Sequence, residues 1–133
     1  MSTVIRSHRR GAAVVSGMAG ICLLVSVVTA TPAFATGATL TPDSQTVSTT
    51  QFATYGAAWN GHAPFTVTLA FGDGSSNKVT GTTATSKGYS HQFSFCNARS
   101  KTFTEKLTVV DAAGLTATAT VHTTVTYSGT LCQ

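Results

Sequence analysis

Phe65-Thr66-Val67-Thr68-Leu69-Ala70-Phe71-Gly72-Asp73-Gly74-Ser75 is the stretch on which the fold reading turns. Large apolar side chains at Phe65, Val67, Leu69 and Phe71 alternate with small or hydroxyl-bearing ones at Thr66, Thr68 and Ala70. A period of two sends the two sets to opposite faces of a strand, one buried and one solvated. The strand ends in Gly72-Asp73-Gly74. Glycines supply positive φ there, and a short carboxylate between them caps the backbone N–H groups of a tight turn.

The same alternation recurs outward from this point. Phe93 and Phe95 flank Ser94, Leu107 and Val109 flank Thr108, and Leu115, Ala117, Ala119 and Val121 interleave with Thr116, Thr118 and Thr120. Weaker strand patterns cover Thr39–Thr41, Val47–Ser48, Gln51–Trp59 and Lys78–Thr85. Turn signals separate them at Pro42-Asp43-Ser44, Asn60-Gly61, Lys87-Gly88 and Asp111 to Gly114. No long apolar pattern of period 3.6 appears, and threonine, which suits a pleated half-buried surface, dominates. The pattern predicts an all-β domain: an antiparallel β-sandwich of immunoglobulin type with about seven short strands.

The chain has 133 residues, 9% of them charged, and a formal net charge of +4. Much of that charge sits at its start. Arg6, Arg9 and Arg10 precede an uncharged stretch from Gly11 to Thr31, followed by Pro32 and the small-x-small run Ala33-Phe34-Ala35. This is the layout of a secretory signal peptide spanning residues 1–35. Its alternative is an uncleaved membrane anchor, since the stretch is long enough to span a bilayer. Cleavage would leave a domain of residues 36–133 with five cations (Lys78, Lys87, Arg99, Lys101, Lys106) and four anions (Asp43, Asp73, Glu105, Asp111). A basic stripe for nucleic acid is then missing, and the length excludes a second domain. Two cysteines remain, Cys96 and Cys132. An even count in an exported chain reads as one disulfide; free thiols or an intermolecular bond are the other readings.

Phe71-Gly72-Asp73-Gly74-Ser75, then Ser90-His91-Gln92-Phe93, then Phe103 to Asp111 with Gly114 form an ordered set. That set resembles the PKD (polycystic kidney disease) domain family over roughly residues 39–126. The family shows W-D-F-G-D-G-S, then H-x-Y, then Y-x-V-x-L-x-V-x-D and a glycine. Here Leu69 and Ala70 replace the Trp and Asp, and four extra residues, Cys96 among them, lie between Phe93 and Phe103. The resemblance implies a packing and hydrogen-bonding role for His91. It also places Cys96 and Cys132 at one pole, where a bridge would tether the C-terminal tail. Glu105 falls where the family has an inward aliphatic residue. An inward carboxylate is costly unless paired, so a bulge turning Glu105 outward is expected.

No catalytic constellation is visible. G-x-S-x-G, H-E-x-x-H, P-loop and C-x-x-C patterns are absent. Asp73 lacks the second acid that calcium loops require. It and Asp111 are expected to cap turns at opposite poles. His62, His91 and His122 are about 30 residues apart, without zinc-ligand spacing, so no metal and no cofactor is expected. Trp59 beside Asn60-Gly61-His62 is either a sugar-stacking platform or a core residue. The expected function is a secreted, non-catalytic module that binds an extracellular protein, polysaccharide or cell-envelope component. The competing readings are a small-ligand carrier of chromoprotein type and a protease or glycosidase inhibitor. The inhibitor would present the 95–101 loop as bait, with Arg99 for a trypsin-like pocket.

Overall fold

The computed structural model describes residues 36–132; residues 1–35, read above as a signal peptide, lie outside them. The described chain is all β, with eight strands in two sheets. In chain order they are β1 (Gly37–Thr41), β2 (Ser44–Ser48), β3 (Ala53–Asn60), β4 (Phe65–Ala70), β5 (Ser76–Thr82), β6 (Ser86–His91), β7 (Ser100–Val110) and β8 (Thr116–Thr126). One sheet has the order β1-β3-β6 and the other β2-β8-β7-β4-β5. Each sheet is open, with β1 and β6 at the edges of the first and β2 and β5 at those of the second.

The alternation that defined β4 is realised without exception: Phe65, Val67 and Leu69 are buried and their neighbours half-buried. β3 shows the same period, with Ala53, Tyr55, Ala57 and Trp59 buried and Thr54, Gly56, Ala58 and Asn60 exposed. These faces meet between the sheets with Leu107, Val109, Val121 and Val125. Val67, Leu69, Leu107 and Val109 are wholly inaccessible. Each such aliphatic side chain contributes roughly 1.5–3 kcal/mol by leaving water.

Four details differ from the sequence reading. There are eight strands rather than about seven, and β2 runs parallel to β8, Ser44 facing His122 and Ser48 facing Thr126. Lys87-Gly88 is not a turn but the middle of β6, where Gly88 faces Gly56 and Lys87 faces Ala57. Two glycines side by side pack without any side-chain requirement, and a lysine on an edge strand discourages pairing with other chains. Phe93 and Phe95 do not form a strand, because the chain leaves the sheet after His91. Their two-residue spacing instead drives aromatic rings into the end of the core. Phe93 stacks on Phe103 with centroids 4.4 Å apart, and Phe95 lies 6.0 Å from the same ring.

The fourth difference is Glu105. β7 pairs with β8 in continuous register from Ser100↔Thr126 to Val110↔Thr116, so no bulge turns Glu105 outward. It points into the sandwich and is 0% exposed. What makes this tolerable is a polar partner from the opposing sheet. Tyr55 on β3 donates its hydroxyl hydrogen bond to Glu105 Oε1 at 3.0 Å, and Thr123 Oγ1 lies 2.9 Å from the same hydroxyl. Glu105 Oε2 has no partner among the described residues. Burial pushes the Glu105 carboxyl up, only partly offset by the nearby hydroxyls of Thr123 and Tyr55. The Tyr55 phenol is raised too, first by burial.

Cys96, before β7, and Cys132, after β8, are joined by a disulfide with Cα atoms 5.4 Å apart. The Cys132 N–H also donates to the Cys96 carbonyl at 3.1 Å. Because Ser100 faces Thr126, these two segments emerge from the same end of the sheet.

Candidate functional site

Three polar features stand out from the core: the Asp73 loop, the Asp111 pole and the outer face of the five-stranded sheet. The first is built by Gly72 and Gly74, with φ of 80° and 96°. They let the chain reverse between β4 and β5, closing with a Phe71 N–H to Ser75 carbonyl bond of 3.0 Å. Inside the turn the Ser75 N–H and hydroxyl both donate to Asp73 Oδ1. Asp73 Oδ2 lies 2.6 Å from His91 Nε2. The His91 ring stacks on Phe71 at 4.1 Å and meets Phe93 edge-on at 4.6 Å. The motif residues Phe71, Gly72, Asp73, Gly74, His91 and Phe93 are thus gathered into one corner. Partial burial pushes the Asp73 carboxyl up, but the bonds from Ser75 and His91 outweigh it and hold it down at about 2.

Ser75, His91 and Asp73 invite comparison with a hydrolytic triad, and the geometry argues against it. Ser75 Oγ is 3.4 Å from His91 Nε2, the same nitrogen that faces Asp73. A working triad needs the serine and the carboxylate on different ring nitrogens, so that the base is free to take the hydroxyl proton.

The opposite pole gathers Thr36, Gly61, His62, Asp111 and Gly114. Asp111 begins the β7–β8 turn, closed by Gly114 at φ 80° with its N–H on the Asp111 carbonyl. Asp111 Oδ1 accepts from the N–H groups of Ala113 and Leu115, each at 2.9 Å. Oδ2 accepts from the Thr36 hydroxyl at 2.8 Å and the His62 N–H at 3.3 Å. The His62 ring nitrogen Nδ1 lies 3.8 Å away, and the Asp111 side chain is 0% exposed. Burial raises the Asp111 carboxyl, and these donors more than reverse it, leaving it lowered. Thr36 as a partner was not legible in the sequence, since nothing in its spacing links it to a residue 75 positions on.

Asp73 follows the end of β4 that pairs with Lys106, whereas Asp111 lies beyond the Thr66↔Val110 end of the same ladder. The two aspartates are therefore a strand apart and do not form a carboxylate pair. Among the described residues no group of three His, Cys, Asp or Glu side chains gathers to hold a metal.

The remaining candidates separate. Trp59 is 6% exposed, its ring edge-on to Phe65 at 6.4 Å, so both faces are withdrawn from solvent and the stacking platform gives way to core packing. Beside it, β1 and β3 line an open hollow of 310 Å³ bordered by Gly37, Ala38, Thr39, Ala58, Trp59 and Asn60. Arg99 donates to the Gly129 carbonyl at 3.2 Å, and its own carbonyl accepts from the Tyr127 N–H at 2.9 Å. Both engagements tie the loop to the C-terminal tail. Among the described residues no helix is long and apolar enough to cross a membrane.

The third feature is the outer face of the five-stranded sheet. There Thr102 faces Thr124 and Thr108 faces Thr118 across β7 and β8, and Thr68 on β4 faces Thr108. Thr46 on β2 extends the Thr102–Thr124 row, and Ser44 and Ser48 flank it. Thr102 and Thr124 hydroxyls bond at 3.2 Å, as do Thr104 and His122 Nδ1. Rows lie about 4.8 Å apart across strands and about 6.8 Å along them, the spacing of the pleat. Lys106, opposite Thr120, and Lys78, opposite Thr68, are charged side chains placed in these rows.

No known family's sequence profile matches this chain, and no curated protein matches it.

Proposed function

We propose that the protein is a secreted, non-catalytic binding module of PKD-like, immunoglobulin type, and that it engages a neutral, hydroxyl-rich polymer such as an extracellular or cell-envelope polysaccharide. The observation that carries this reading is the threonine lattice on the outer face of the five-stranded sheet. A sheet face of hydroxyls offers donors and acceptors at regular spacing, and charge is sparse on it. Such a surface matches repeated sugar hydroxyls better than it matches a charged partner. Export of the domain agrees with the disulfide, which persists in oxidising compartments.

The competing functions find less support. The hollow beside Trp59 is open rather than enclosing, as a carrier of a small apolar ligand would need. A bait loop must offer its scissile carbonyl freely, and that of Arg99 is bonded to Tyr127.

Retention of the exported protein on insoluble neutral polysaccharides tests the proposal. Thr104→Glu with Thr118→Glu, both at exposed positions, is expected to abolish retention while leaving the circular dichroism spectrum unchanged. Failure of the wild type to bind any neutral polysaccharide, or undiminished binding by the variant, would overturn it. Capture of a specific protein instead would move the reading to protein recognition.

A further inference from the structure

Thr36, whose hydroxyl reaches Asp111, is also the residue that follows Ala33-Phe34-Ala35. We propose that the Asp111 pole is a receptor for the processed N-terminus, so that removal of the export segment completes the domain electrostatically. The inference rests on the export reading above. Hydrolysis of the Ala35–Thr36 amide by an export-associated peptidase consumes one water. It releases the Ala35 carboxylate and leaves a protonated α-amino group on Thr36. A neutral amide with one N–H becomes a cation with three.

The geometry determines where that cation arises. Thr36 Oγ1 sits 2.8 Å from Asp111 Oδ2, and the Thr36 backbone nitrogen is three bonds from its own Oγ1. The nitrogen is therefore no more than about 6.5 Å from the carboxylate. Thr36 is held in place from its other side, since the Gly37 N–H donates to Asn60 Oδ1 at 2.5 Å as β1 begins. Room is made by Gly61, whose φ of 133° admits few side chains. A Cβ there would stand 3.0 Å from both Asp111 Oδ2 and Thr36 Oγ1.

The receptor side is a buried anion. The Asp111 carboxylate receives four hydrogen bonds, all from neutral donors: the Thr36 hydroxyl and the N–H groups of His62, Ala113 and Leu115. These satisfy its lone pairs without neutralising its charge. The other titratable group facing it is His62, whose side chain is 46% exposed. Charges attract more strongly where water is excluded, so a new cation beside an inaccessible carboxylate is worth more than a surface pair. In the unprocessed chain the Thr36 nitrogen belongs to an uncharged peptide.

The test uses the full chain produced in an exporting bacterium and recovered from the medium. Intact mass first establishes the N-terminus. The α-amino group is then titrated by NMR in three proteins: the wild type, Asp111→Asn, and a chain with one alanine inserted between Ala35 and Thr36. The insertion keeps the cleavage site and moves the amine one residue from the carboxylate, so it serves even if Asp111→Asn fails to fold. The wild-type amine is expected to be at least tenfold harder to deprotonate than that of the alanine-extended chain, whose amine titrates in the usual range of about 7.7–8.0. The wild type is also expected to withstand more urea than the extended chain. Equal titration in the two proteins would overturn the proposal with the export reading intact. A mass showing cleavage at another bond would overturn the proposal alone, and an uncleaved chain that stays with the cells would overturn both.

Discussion

Glu105→Gln probes the least expected feature of the core. The wild-type carboxyl is inaccessible to water, bonded through Oε1 to Tyr55, and without a partner at Oε2 among the described residues. Burial raises it above the ordinary value of 4.5. In the unfolded chain the group ionises near that ordinary value. The folded state therefore holds a proton that the unfolded state releases, and stability falls as pH rises between the two values. Below 4.5 the group is protonated in both states and the loss is absent. One group contributes a slope of up to about 1.4 kcal/mol per pH unit within that window. With a urea dependence of roughly 1.5 kcal/mol per molar, this moves the unfolding midpoint by about 1 M per pH unit. Gln keeps the oxygen that accepts from Tyr55 and cannot ionise. Its second amide atom meets the place where Oε2 has no partner, which adds a pH-independent cost of about 1–3 kcal/mol. The diagnostic is thus the difference in slope, not the absolute stability. Urea unfolding of both proteins at half-unit steps from pH 4.0 to 7.0 reads it directly. Every other charged group is common to the two proteins and cancels in the comparison. The wild type is expected to lose stability relative to the variant as pH climbs past 4.5. Parallel profiles across the range would refute the reasoning, because they would mean that Glu105 is solvated or ionised in the folded state.

Four other outcomes follow from the same structure. Cys96→Ala with Cys132→Ala opens a bridge of sequence separation 36 and is expected to cost about 4 kcal/mol of loop-closure entropy, read from guanidinium unfolding. Gly74→Ala meets no atom within 4 Å and should cost only the strain of its φ, about 1–2 kcal/mol. Gly72→Ala would place a Cβ 2.6 Å from the Thr104 carbonyl and adds an overpacking cost of about 1–3 kcal/mol to the same strain, so its thermal midpoint should fall clearly further. Asp73 is held down at about 2 by Ser75 and His91. Its stabilising contribution is therefore present above 3.8 and lost as pH falls towards 2. Asp73→Asn should be less stable than the wild type at pH 5 and should lack that acid-dependent loss in melting curves.

Much of this molecule is local and was readable from residue order. The Phe65–Phe71 alternation specified a strand and its buried face, because a period of two allows one face only. Gly72-Asp73-Gly74 and Asp111 to Gly114 specified turns, because positive φ and a capping carboxylate are properties of a few consecutive residues. Where the reading failed, local signals had more than one tertiary solution. Lys87-Gly88 carries the composition of a turn, yet a glycine on the neighbouring strand let it pair. Phe93 and Phe95 have a strand's spacing, yet ring stacking rather than a ladder accounts for it.

By itself the sequence determined an all-β chain with buried faces, its main turns and a pair of cysteines available to bridge. Only the tertiary structure decided what long-range pairing decides. It set β2 parallel to β8, turned Glu105 inward to a tyrosine fifty residues away, and brought Thr36 to a carboxylate seventy-five residues on. Alternation says that a side chain leaves one face of a strand. It carries no information about which partner waits there, since that depends on how two sheets from distant parts of the chain are laid against each other.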